Sequence, residues 1–135
     1  MSEITVEIDA AAAIDMLRTM PDRIDRAMRG AMTDSTVLLL REMKQYPAPP
    51  DGSTYTRTGT LGKSWSKRIE GRGMEITGVV GVNTNAVPYA RYVQDSEFQA
   101  RIHQGRWLTI QEASERNRDT IESFFESRIR AEVER

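Results

Sequence analysis

With 135 residues, 39% hydrophobic and 29% charged, the chain is sized and composed as one globular domain, 1–135, that hides about two-thirds of its unfolded surface. It has no cysteine and a single histidine, His103, which excludes disulfides, thiolate chemistry and most zinc sites. A net charge of −1 gives no overall pull toward nucleic acid or anionic lipid. Apolar runs such as Val37 to Leu40 are far too short to cross a bilayer, and the acidic opening MSEITVEID lacks the basic and apolar blocks of a secretory signal, so no membrane partner and a cytosolic start are expected.

Ile4, Val6 and Ile8 alternate with polar residues, which predicts a short strand with one buried face. Asp9 suits an N-cap, and a first short helix is expected from about Ala10 to Thr19. Pro21 then opens a longer helix, because proline loses nothing at the first helical position, and Asp22 and Asp25 complement its positive end. Ile24, Met28, Ala31, Ser35, Leu38 and Leu39 recur at three- and four-residue spacing and form its buried stripe. Its end is expected near Tyr46, before Pro47, and the run PAPPDGST that follows reads as a loop.

SWSKRIE places Trp65, Lys67 and Ile69 on one face, and MEITGVVGV does the same for Met74, Ile76, Gly78, Val80 and Val82. Gly71-Arg72-Gly73 between them predicts a hairpin, with Trp65 and Ile69 over Ile76 and Val80. PYARYVQ reads as one helical turn that gathers Tyr89, Tyr92 and Val93. Residues 95–106 carry no periodicity, a pattern found in functional or disordered segments. Thr109 and Glu112 fit a capping box, and one final helix is expected to about Ala131, using Ile110, Ala113, Ile121, Phe124, Phe125 and Ile129. The sum is an α+β fold: a small antiparallel sheet with a central hairpin, packed against a long N-terminal helix and a C-terminal helix. Its expected core is Trp65, Ile76, Val80, Ile24, Leu38 and Phe124.

Three kinds of chemistry can be weighed on these residues. Gly62-Lys63-Ser64 resembles the tail of a phosphate-binding loop, but the earlier glycine of such a loop falls at Arg57, and a strand rather than a helix is expected to follow. His103 is the one side chain tuned for proton transfer near neutral pH, yet nothing in the sequence places a nucleophile beside it. The basic hairpin, with Arg57, Lys63, Lys67, Arg68 and Arg72 against Glu70 alone, suggests a nucleic-acid module as the alternative function, although alternation turns Trp65 away from Arg68 and into the core. Tyr55, Arg57, Tyr89, Arg91, Tyr92, Arg101, Arg106 and Trp107 are of the types enriched at binding hot spots and fall in loops or at element ends. They are the better candidates for function.

Three segments, YTRTGTLGKSW, VVGVNTNAVPYARYVQ and IHQGRW, together resemble in order and spacing the tail-completion or neck (head-tail joining) proteins of long-tailed bacteriophages. Arg57, Thr58, Gly59, Leu61 and Ser64 match that family's Arg-Thr-Gly-x-Leu-x-x-Ser signature, Trp65 extends it, and Tyr89-Ala90 matches its Tyr-Ala pair. The resemblance implies a structural virion protein without enzymatic activity, cofactor or metal. It implies assembly in the host cytoplasm into a ring of six copies that completes the tail tube and joins it to the DNA-filled head. Partners are then the tail tube protein and the head-tail connector or adaptor proteins, with sequence-independent contact to passing DNA at most. Arg57, Tyr89, Arg91, Tyr92, Arg101, His103 and Arg106 are expected at contacts with siblings or neighbours. The acidic N-terminal residues and the basic hairpin are expected to supply complementary charge across them.

Overall fold

The computed structural model describes residues 11–48, 59–85 and 87–134, the side chains of 11–17 and of residue 74 excepted. The strand expected at residues 4–8 and most of the proline-rich loop lie outside these residues. The fold is α+β: a long N-terminal helix, a two-stranded antiparallel sheet and a C-terminal helix packed together.

Helix α1 spans Ala11–Met43 without interruption. The two helices expected on either side of Pro21 are therefore one. Proline removes a single intrahelical hydrogen bond, and the segment just beyond it is anchored on both flanks: Glu132 meets Arg23 and Arg26 (3.7 and 3.6 Å), and Asp25 accepts the Gly73 N–H (2.8 Å). The helix stops at Met43, ahead of the expected Tyr46, because the Tyr46 hydroxyl turns to accept the N–H of Gly62 (2.8 Å). Buried Ser35 and Thr36 are satisfied within the helix through the carbonyls of Ala31 and Met32.

One helical turn, α2 (Thr60–Ser64), leads directly into β1 (Trp65–Glu70), which pairs with β2 (Thr77–Val82). The expected register is corrected. Trp65 faces Val82, Lys67 faces Val80 and Ile69 faces Gly78. The connection is longer than Gly71-Arg72-Gly73 because residues 73–75 curl into a 3-10 turn. That curl is fixed from α1, where Asp25 holds the Gly73 amide and Arg29 donates to the Gly71 carbonyl (3.1 Å). Gly71, at φ 74°, has no room for a side chain: a Cβ would lie 2.5 Å from the Glu75 carbonyl oxygen.

Helix α3 (Ala90–Gln94) sends Ala90 and Val93 inward and leaves Tyr92 outside. Tyr92 and Val93 therefore do not share a face as expected, since neighbours on a helix point about 100° apart. Two helices replace the single final one. Helix α4 (Ile110–Arg116) ends at Asn117, whose side chain donates to the Ala113 carbonyl (2.8 Å) and turns the chain into α5 (Arg118–Val133). Thr109 is the N-cap, its Oγ1 accepting from the Glu112 amide (3.2 Å), but the reciprocal half of the expected capping box is replaced: the Glu112 carboxylate accepts from the Thr109 hydroxyl (3.0 Å).

Helix α5 runs antiparallel to α1, with Arg128 bonded twice to Asp34 (3.0 and 3.2 Å) and Arg116 of α4 to Glu42 (2.6 Å). No residue of α5 is fully buried. Hence Trp65 and Ile76 are buried as expected, whereas Ile24, Leu38, Val80 and Phe124 are only half-buried. One cluster gathers Met43, Trp65 and Ala113, and another Leu61, Val87, Ala90 and Val93.

Gly78 lets β2 close onto α1: a Cβ there would sit 2.5 Å from the Met32 sulfur and 2.7 Å from Thr36 Cγ2. Gly78→Val is expected to cost about 1–3 kcal/mol in urea unfolding through overpacking. Gly81→Val, whose Cβ meets nothing within 4 Å, is expected to be near neutral.

Candidate interaction surface

Two glutamines build the frame on which the exposed aromatics are carried. Gln94, 1% exposed, accepts from Trp65 Nε1 (2.8 Å) and donates to the carbonyls of Met43 (3.1 Å) and Leu108 (3.4 Å). It thereby ties α3 to the end of α1, the start of β1 and the approach to α4. Gln99 does the same for the segment without periodicity, donating to the carbonyls of Val93 (2.7 Å), Trp107 (3.0 Å) and His103 (3.4 Å). The Ala100 amide adds a bond to the Tyr92 carbonyl (2.8 Å). Asp95 and Ser96 are pinned to the start of α4 through Gln111 and Thr109. Residues 95–106 are thus an ordered strap bonded to α3 and α4.

On the outside of this frame stand Tyr89 (47% exposed), Tyr92 (53%), Phe98 (43%) and Ile102 (71%). The Arg91 guanidinium covers the Phe98 ring at 4.9 Å from its centroid, an attraction of cation to π-face. Arg101 and Arg106 are exposed in the same strap. Of the expected contact residues, Tyr89, Arg91, Tyr92, Arg101 and Arg106 are all exposed, the first three at α3 and the last two in the strap. Arg57 and Thr58 lie outside the described residues. Phe98 and Ile102 were missed, though two apolar residues in a polar loop were a visible signal. Gln94 and Gln99 gave none, because a glutamine in sequence carries no mark of burial.

His103 and Trp107 sit on the inner side of the strap. Trp107 packs against Tyr46 (centroids 5.1 Å apart) and meets the His103 ring edge-on at 6.3 Å. Burial, and then the charge of Arg106, hold His103 below its ordinary pKa of 6.5, and its Nδ1 is buried with no hydrogen-bond partner among the described residues.

The remaining signature residues have structural work. Gly59 takes φ 79° at the entrance to α2, Leu61 is buried, and the Ser64 hydroxyl bonds to the Thr60 carbonyl (2.7 Å). The Gly62 amide is committed to Tyr46, and a Cβ at Gly62 would press on the Tyr46 ring at 3.2 Å. Gly62-Lys63-Ser64 accordingly packs against the end of α1 and does not offer its Gly62 N–H to a phosphate. Among the described residues no group of three His, Asp or Glu is placed to hold a metal ion, and no helix is long and apolar enough to cross a membrane. Comparison with protein-family models, with curated proteins and with solved structures finds no match to this chain.

The depressed pKa of His103 fixes the sign of a pH effect. The unfolded chain takes up the proton at about its ordinary value of 6.5, before the folded chain does. Stability contributed by neutral His103 is therefore complete above that value and is lost as pH falls from it toward the lower folded value. Thermal melts are expected to show a larger drop from pH 7.5 to 5.5 for the natural chain than for His103→Asn.

Proposed function

We propose that the chain is a structural virion protein that forms a ring, of six copies, at the head-tail junction of a tailed phage. In this reading it completes the tail tube and joins it to the filled head. The observation that carries it is the exposure of Tyr89, Tyr92, Phe98 and Ile102 beside Arg91, on α3 and on a strap, held by buried Gln94 and half-buried Gln99. Large rigid side chains with polar ends are what hot spots use, and a pre-ordered support lowers the entropy cost of docking. The order and spacing of the signature segments supply the family context.

The alternative of a nucleic-acid module has less support. Lys67 and Arg68 are exposed, but Trp65, the aromatic between Lys63 and Lys67, is 5% exposed and bonded to Gln94. It offers no face for base stacking.

Imaging of fractionated particles tests the reading. The chain is expected as a ring between head and tail, and its absence from purified virions overturns the proposal. Tyr92→Asp is expected to reduce ring formation at least tenfold in native mass spectrometry with an unchanged melting temperature, because Tyr92 serves the fold through its backbone N–H and carbonyl while its side chain is exposed. Arg57→Ala is expected to weaken assembly in the same assay without unfolding the chain.

A further inference from the structure

The strap of residues 95–106 turns on His103. Its carbonyl accepts from the amides of Arg106 and Trp107 (3.1 and 3.0 Å) and from Gln99 Nε2 (3.4 Å), and its own amide donates to the Ala100 carbonyl (2.9 Å). The Ala100 amide in turn holds the Tyr92 carbonyl of α3 (2.8 Å). His103 thus stands at the centre of the bonds that shape the segment bearing exposed Phe98 and Ile102.

The imidazole faces inward. Its Nδ1 is buried with no hydrogen-bond partner among the described residues, and its edge contact is Trp107, with Tyr46 behind. A neutral imidazole fits this place, because it can keep its proton on Nε2 and leave Nδ1 bare. The charged form carries a proton on both nitrogens, and a buried donor without an acceptor is disfavoured. The surrounding charges give no relief. Arg106, from the strap itself, acts on His103 as a like charge. Asp95 of the strap and Glu112 of α4 are bonded to Gln111 and Thr109, and Arg91 of α3 lies over Phe98. Tyr46, beyond the end of α1, accepts from the Gly62 amide.

We infer that protonation of His103 releases the strap from α3 and α4 and so withdraws the contact surface as the solution turns acid. The sign follows from linkage. In the released strap the imidazole meets water and takes up its proton at about its ordinary value of 6.5, whereas in the closed strap it does so only at a lower one. The closed strap is therefore fully favoured above that value and loses ground as pH falls below it. The ratio of released to closed strap rises up to about tenfold at pH 5.5. The consequence for assembly rests on the ring reading, since the surface withdrawn is the one on which that reading depends.

His103 is the one histidine in the sequence, and no other type of side chain has its ordinary value between pH 5.5 and 7.5. Hydrogen exchange of the isolated subunit at these two pH values, corrected for intrinsic rates, tests the release without any need for a ring. Protection of the Ala100, Arg106 and Trp107 amides is expected to fall by up to about tenfold at pH 5.5, with α1 amides around Ser35 unchanged. His103→Asn is expected to remove this pH dependence, and Arg106→Gln, which takes away the like charge and keeps the histidine, to reduce it. Equal protection of the strap at both pH values, or a loss shared equally by α1, overturns the switch whether or not rings form. Native mass spectrometry of the natural chain is expected to show fewer rings at pH 5.5 than at pH 7.5. Rings equally abundant at both overturn the withdrawal of the surface, and a strap that loosens in a chain forming no ring at any pH overturns the ring reading and leaves the switch standing.

Discussion

The carboxamide of Gln94 is the constraint on which the rest of the structure depends. Its oxygen accepts the Trp65 indole N–H and its nitrogen donates to the carbonyls of Met43 and Leu108, all inside the fold. Four segments distant in sequence meet at this side chain. Leaving one such buried polar group without its partner costs about 1–3 kcal/mol, so the end of α1, the start of β1, α3 and the approach to α4 are held together or lost together. Gln99 repeats the device one step outward for the strap.

This arrangement suits a molecule with thin layers. A two-stranded hairpin is marginal by itself in water, and here it borrows α1, which enters its turn through Asp25 and Arg29 and its face through the contact of Gly78 with Met32 and Thr36. Helix α5 covers another flank of α1 without burying any of its own residues fully, and its ion pairs are mostly exposed. Exposed pairs contribute little stability. They fix the antiparallel alignment of α5 on α1.

What was legible in the sequence was local. The stripe along α1, the two strands and the Thr109 cap each announce themselves within a few residues, because period and cap chemistry are short-range. The strand register was not legible, since the turn at residues 71–76 takes its shape from Asp25 and Arg29, far away along the chain. The continuity of α1 through Pro21 and the break at Asn117 both went against the local reading. In the first, contacts from α5 and the turn outweighed one lost hydrogen bond; in the second, a single asparagine side chain ended a helix whose polar middle had looked continuous. Of the candidate surface, the tyrosines and arginines were visible by residue type, whereas the glutamines that hold them were not.

The central claim is that Tyr89, Tyr92 and Phe98 are exposed in the subunit in order to be covered by its siblings. Hydroxyl-radical footprinting of the isolated subunit and of the assembled form reads the exposure of each aromatic side chain directly. The account predicts fast oxidation of Tyr89, Tyr92 and Phe98 in the subunit, strong protection of all three after assembly, and a slow, unchanged rate at Trp65. Equal oxidation of the three in both forms would contradict it.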